Sequence, residues 1–143
     1  MNLFRAVLVI LLFGSILVLS AQTADLTIKV EGIKQVDKSN IMIALYNEKD
    51  AFLDQDLIFK KVEVAADSAS VEYTFTGLQH GIYAVSLYHD EDDDNEMDRK
   101  WYGPPKEGYG FSNNFTSNIR PARFNDASFE LFEDRTIDII IVY

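Results

Sequence analysis

Val71-Glu72-Tyr73-Thr74-Phe75-Thr76-Gly77-Leu78-Gln79-His80-Gly81-Ile82-Tyr83-Ala84-Val85-Ser86-Leu87 is the stretch on which the fold turns. Large apolar residues stand at every second position, first Val71, Tyr73 and Phe75, then Tyr83, Val85 and Leu87. That period places each set on one face of an extended chain, whereas a helix repeats every three or four residues. The stretch therefore reads as two strands, the fourth and fifth in chain order. Between them Gly77 and Gly81 permit the positive φ that a tight connection needs, and Tyr83 begins the next inward row.

The same alternation extends outward. Leu26, Ile28 and Val30 mark a first strand ending at Gly32, and Ile41, Ile43 and Leu45 a second, after Asp37-Lys38-Ser39-Asn40. A loop over 47–56 leads to a third strand through Phe59, Val62 and Val64. Phe129 and Leu131 mark a sixth, and Ile137, Ile139, Ile141 and Tyr143 a seventh, with Glu133-Asp134 at the turn between them. Seven short strands in about 120 residues predict an all-β fold, a seven-stranded immunoglobulin- or prealbumin-like β-sandwich over 25–143; an eight-stranded barrel is the alternative. An outer-membrane barrel is disfavoured, because it needs strands of ~9–11 residues with an unbroken lipid-facing set. Glu31, Glu63 and Glu72 interrupt these shorter strands.

Ahead of this domain, Arg5 precedes an apolar run broken only by Gly14 and Ser15 and closed by Ser20-Ala21-Gln22. This is the pattern of a secretory signal peptide over 1–21, with cleavage after Ala21, rather than of an uncleaved anchor. The expected product is exported, periplasmic or extracellular, with no membrane span after signal cleavage.

The chain of 143 residues carries 13 basic and 23 acidic residues, a formal charge of −10. Its length fits one domain. Such acidity repels phosphate backbones and anionic lipid, and no Lys/Arg run exceeds a pair, so neither nucleic acid nor a membrane surface bound through charge is an expected partner. There is no cysteine, which excludes disulfide scaffolds, thiolate zinc sites and thiol nucleophiles.

The acidity is concentrated in one place. After the fifth strand comes His89-Asp90-Glu91-Asp92-Asp93-Asp94-Asn95-Glu96-Met97-Asp98, with seven acids in the nine positions 90–98. Removing those nine from the expected mature chain leaves 16 acidic against 12 basic residues. As a calcium loop, Asp90, Asp92 and Asp94 take positions one, three and five, Asn95 the sharp-turn position, Glu96 offers a carbonyl, and Asp98 falls at nine. Asn tolerates the left-handed conformation better than any residue except Gly. Position twelve is Trp101, so the missing oxygens would come from elsewhere, from Glu107 or from water. The competing reading is a solvated acidic turn without metal. Calcium is thus a candidate ligand, with Asp90, Asp92, Asp94, Glu96 and Asp98 as candidate metal ligands.

The segment 90–126 forms a long connection, and its second half has no strand periodicity. It carries Trp101, Tyr102, Tyr109, Phe111 and Phe115, enough aromatic area to order it. Trp101, Tyr102, Tyr109 and Phe111 with the amides of Asn113 and Asn114 are candidate ligand-binding residues, a platform for a saccharide or peptide. The alternative is that the rings cap one end of the sandwich.

His89-Asp90, the Asp-rich turn, Asp98, and then Gly103-x-Pro105-Lys106-Glu107-Gly108-Tyr109-Gly110-Phe111-Ser112-Asn113-Asn114 resemble the bacterial secreted family known as domain of unknown function 2141. Leu78-x-x-Gly81-x-Tyr83-x-Val85 likewise resembles prealbumin-like sandwiches. The family pattern has proline where His80 stands and glycine where Asn95 stands, and this chain carries more Asp than Asn. The resemblance implies export and a sandwich, and no reaction.

Enzyme motifs match poorly. Gly110-Phe111-Ser112-Asn113-Asn114 lacks the last glycine of a nucleophile elbow, and no phosphate-binding glycine loop occurs. His80 and His89, the only histidines, cannot form a three-histidine zinc site; they read as a turn residue and a hydrogen-bonded strand terminus. The sequence predicts an exported binding or accessory module for a saccharide, peptide or envelope protein. The alternative is a hydrolase using loop carboxylates.

Overall fold

The computed structural model describes residues 22–35 and 38–143. The expected signal peptide over 1–21 lies outside the described residues, as does Asp37. The chain is mostly β, in two sheets. Among the described residues the strands are β1 (Thr23–Glu31), β2 (Asn40–Tyr46), β3 (Lys60–Ala65), β4 (Ser70–Gln79), β5 (Gly81–Asp90), β6 (Tyr109–Phe111), β7 (Phe129–Leu131) and β8 (Arg135–Ile140), with a short α-helix, α1 (Phe124–Ala127), before β7.

One sheet has the order β4-β1-β8, with β1 antiparallel to β4 and parallel to β8. The other runs β3-β2-β5-β6, with β7 also on β5. The alternating residues of both sheets meet in one core: Leu26, Ile28, Val30 and Ile139 from the first, and Ile41, Ile43, Leu45, Val85 and Leu87 from the second. Each such side chain stabilises the fold by roughly 1.5–3 kcal/mol, and their shared interior holds the two sheets face to face. Among the described residues no helix is long and apolar enough to cross a membrane.

The stretch 71–87 departs from its expected detail in an instructive way. Its two strands lie in different sheets, and only His80 separates them. Gly77 does adopt a positive φ, +64°, but inside β4 rather than in the connection. There the register steps from Leu26 opposite Phe75 to Ala24 opposite Leu78, so Thr76 and Gly77 together face Asp25. This is a β-bulge with glycine at its left-handed position. Asp25 fastens it, its carboxylate accepting from the Gly77 amide at 2.8 Å. The corner itself is closed by Tyr83, whose hydroxyl donates to the Gln79 carbonyl at 2.7 Å. A tyrosine bonded back to backbone just upstream is a device of sandwiches at the point where the chain changes sheet.

The described residues form eight strands rather than the seven expected, and the additional one, β6, lies inside the connection expected to be irregular. β5 is paired along one edge by β2, while its other edge is shared by β7 at 81–83 and β6 at 86–88. In the gap, the Val85 amide donates to Ser112 Oγ at 2.9 Å, and that hydroxyl donates to the Ala127 carbonyl. A second apolar cluster forms from Tyr46, Ala51, Ala84, Phe124 and Ala127, with Phe52 and Phe111 packed against it.

Candidate functional site

The two ends of the 90–126 connection meet because β6 returns antiparallel to β5. Tyr88 pairs with Tyr109, and the His89 amide donates to the Gly108 carbonyl at 2.8 Å. Continuing that ladder by one step brings Glu107 beside Asp90. Asp90 is fully buried and Glu107 is 5% exposed. Together with exposed Asp92 they form one cluster, with an oxygen from each carboxylate lying within 4.8 Å of the others.

Backbone amides fix this geometry. Asp90 holds the inside of the acidic turn, accepting from the amides of Asp94 at 3.2 Å and Asn95 at 2.9 Å. Glu107 holds its two ends, accepting from Glu91 at 2.9 Å and Asp98 at 3.0 Å. The turn needs left-handed backbone at Asp93 and Asn95, with φ of 61° and 65°, and Asp and Asn are among the side chains that tolerate it. Asn40 on β2 donates to Asp93 at 2.8 Å, tying the turn to the sheet.

Of the five expected ligands, Asp90 and Asp92 belong to the cluster, and Glu107 joins them. Asp94, Glu96 and Asp98 are not part of it. Asp94 accepts from the Glu96 amide at 2.8 Å, and Asp98 pairs with Lys106 at 2.7 Å. The three ion pairs of the described residues, Lys29–Glu72, Lys106–Asp98 and Arg120–Asp126, include none of the clustered carboxylates.

The electrostatics follow. Burial pushes the Glu107 carboxyl up; the amides of Asp98 and Glu91 oppose this, and the charges of Asp90 and Asp92 add to it. Tyr88, on β5, is pushed up to about 12 by burial first and then by Asp90, Glu107, Asp94 and Glu96. The region is one of negative potential.

The donor set is oxygen only, which suits a hard divalent cation. A calcium ion with bonds of 2.3–2.6 Å reaches oxygens up to about 5 Å apart, so a single ion can touch all three carboxylates. Each carboxylate has about four lone-pair sites, and the amide bonds to Asp90 and Glu107 leave some of them available.

His89, next to Asp90, is fully buried. Its Nδ1 lies 2.8 Å from the Tyr143 hydroxyl and its Nε2 2.9 Å from Ser39 Oγ. The Tyr143 hydroxyl also accepts from the Lys34 amide at 2.9 Å, so the imidazole, the phenol and Ser39 belong to one chain of hydrogen bonds. Burial lowers the affinity of this imidazole for a second proton. His89 is the hydrogen-bonded strand terminus expected. His80, at the corner, stands edge-on to Phe132.

The aromatic candidates divide. Phe111 packs in the second apolar cluster, and Tyr109 stands edge-on to it. Trp101 and Tyr102 project outward, 96% and 60% exposed. Asn113 donates to the carbonyls of Asp126 and Ser128, holding the end of α1. Asn114 donates to the Asp138 carbonyl at 3.0 Å and accepts from the Ile140 amide at 2.8 Å, completing the open edge of β8. Both amides thus serve the backbone, as Ser112 does.

Beyond them Arg120 clasps Asp126 through two nitrogens at 2.6 and 3.0 Å, and the Arg123 amide adds a third bond at 2.8 Å. Arg120 first, then Arg123, hold the Asp126 carboxyl down to about 2. A depressed carboxyl supports the fold at pH above its ordinary value of 3.8 and releases it as pH falls through about 2. An NMR titration should find the midpoint for Asp126 near that lower value, and Arg120→Met should raise it part of the way back, the Arg123 amide bond remaining.

A model of the family domain of unknown function 2141, described as uncharacterized protein conserved in bacteria, matches residues 28–139, from within β1 to within β8. No curated protein and no solved structure matches the chain.

Proposed function

The chain belongs to domain of unknown function 2141, a family of uncharacterized bacterial proteins, and on that premise we propose that it is an exported, non-catalytic binding or accessory module of the cell envelope whose acidic turn is completed by calcium. The fold in this reading is an immunoglobulin- or prealbumin-like sandwich, supported by the shared core and the Tyr83 corner. The observation that carries the reading is the convergence of Asp90, Asp92 and Glu107 within 4.8 Å, two of them buried. Buried carboxylates that no ion pair among the described residues neutralises repel one another, and a divalent ion relieves that repulsion. The same burial favours binding over hydrolysis. Asp90 and Glu107 have both oxygens engaged by backbone amides and lie out of a substrate's reach, whereas a hydrolase needs its acids facing the scissile bond.

Thermal unfolding with and without calcium tests it. Extracellular calcium modules bind at roughly 10⁻⁴–10⁻³ M, so about 10 mM calcium should stabilise the protein by about 1.4–2.7 kcal/mol. Asp92→Ala should remove that response with little effect in chelator, because Asp92 is exposed and is not one of the turn's amide acceptors. A calcium response undiminished in Asp92→Ala would overturn the assignment, as would no response in the parent chain.

A further inference from the structure

The hairpin at 98–106 presents aromatic surface to solvent on a defined backbone. It closes through a bridge between Arg99 and Pro105, with Lys106 donating to the Asp98 carbonyl at 2.9 Å and Lys100 to that of Pro104 at 2.8 Å. Gly103 donates to Lys100 at 2.8 Å and turns the tip with a φ of +107°. On this tip Trp101 is 96% and Tyr102 60% exposed, their rings 5.3 Å apart and nearly perpendicular at 79°. Large rings held out of the core by an ordered turn are surface kept for contact.

The charge around them is the reverse of the chain's. Residues 99–106 contain Arg99, Lys100 and Lys106 and no acid, within a protein of net charge −10. Lys106 is paired with Asp98, while Arg99 and Lys100 are exposed beside the rings. Trp and Tyr flanked by Arg and Lys is the combination that settles at a membrane interface: the rings enter the headgroup layer and the cations meet lipid phosphate. A sugar platform fits less well. Perpendicular rings share no flat face for a pyranose, and the Asn113 and Asn114 amides that would have read its hydroxyls are committed to backbone.

We propose that the 98–106 hairpin is an interfacial anchor that docks the protein on an anionic phospholipid surface, with Trp101 and Tyr102 entering the headgroup layer and Arg99 and Lys100 contacting phosphate. The docking stands on the hairpin's own residues; only its calcium dependence rests on the cation site proposed above. The seven acids at 90–98 adjoin the hairpin and repel anionic lipid. An ion held by Asp90, Asp92 and Glu107 weakens that repulsion.

Trp101 is the chain's one tryptophan, so its emission reports on the hairpin alone. The full chain is mixed with phosphatidylglycerol or phosphatidylcholine vesicles, in calcium or in chelator, with Trp101 emission and quenching by spin-labelled lipid as readouts. Phosphatidylglycerol with calcium should shift the emission to the blue and allow quenching by labels near the headgroup, and phosphatidylcholine should do so much less. In cosedimentation, Arg99→Glu with Lys100→Glu should lower the partition into phosphatidylglycerol by about tenfold or more. Unchanged Trp101 emission with both lipids, while calcium still raises the melting temperature, would overturn the anchor and leave the cation site standing. An equal blue shift in chelator would support the anchor and overturn its calcium dependence. A shift with soluble glycan or peptide fragments and none with vesicles would replace the lipid with that partner.

Discussion

Asp90→Ala is expected to cost about 3 kcal/mol of unfolding free energy in chelator and to abolish any calcium response, although no apolar core residue is touched. The Asp90 carboxylate is fully buried at the end of β5 and accepts from two amides of the turn, those of Asp94 and Asn95. Removing it leaves both donors without their acceptor, at roughly 1–3 kcal/mol each, in a turn already strained by left-handed backbone at Asp93 and Asn95. Asp90→Asn keeps one acceptor oxygen and should fall between parent and alanine. Urea titration in chelator measures the stability term, and the same titration in calcium measures the cation term. Asp92→Ala separates the two, losing only the second. If Asp90→Ala were no more destabilising than Asp92→Ala, the amides of the turn would not depend on Asp90.

The strands were legible wherever four or more residues alternated, because a buried face writes its period directly into the sequence. The three-residue β7 was legible because Phe129 and Leu131 are its buried positions, whereas in β6 the buried position is Gly110, which carries no apolar side chain to mark it. Asp90 and Asp92 were legible from local spacing, but a spacing template assigns ligands by sequence distance. Glu107 reaches the site through the β5–β6 ladder, and Trp101 at the template's twelfth position points away at the hairpin tip. The positive φ foreseen at Gly77 is real but serves a bulge, because glycine marks a conformation and not which element requires it. Asn113 and Asn114 looked like ligand-facing amides, and Ser112 like the serine of an incomplete nucleophile elbow. They are instead backbone partners for Val85, α1 and β8, a role set by strands distant in sequence.

This makes the Gly108-Tyr109-Gly110-Phe111-Ser112-Asn113-Asn114 run the structural hinge between the two ends of the candidate site. Glu107 precedes it and is positioned by it. The two ends of the acidic turn hang from Glu107 at Glu91 and Asp98, so any displacement of β6 passes to the turn.

Gly110→Ala should therefore damage both stability and the site. A Cβ at Gly110 would stand 2.7 Å from Ile139 Cγ2, 3.3 Å from Leu87 Cδ1 and 3.3 Å from the Ile140 carbonyl. Ile139 is fully buried, Leu87 lies in the same core, and the third neighbour is backbone, so none of them yields without disturbing a strand. Overpacking of this kind costs up to about 3 kcal/mol, a fall of roughly 10 °C in melting temperature for a domain of this size. β6 can escape only by lifting from β8, which carries Glu107 away from Asp90, so the calcium response should shrink as well. Gly81→Ala is the control: an added Cβ there meets Tyr83 at 3.7 Å and the Gln79 carbonyl at 3.9 Å, ordinary contacts, and its cost should stay within about 0.5 kcal/mol. Equal melting temperatures for the two variants would mean that β6 does not lie as close to Ile139 as its glycine implies. A Gly110→Ala chain that is destabilised but keeps its full calcium response would separate the packing of β6 from the placement of Glu107.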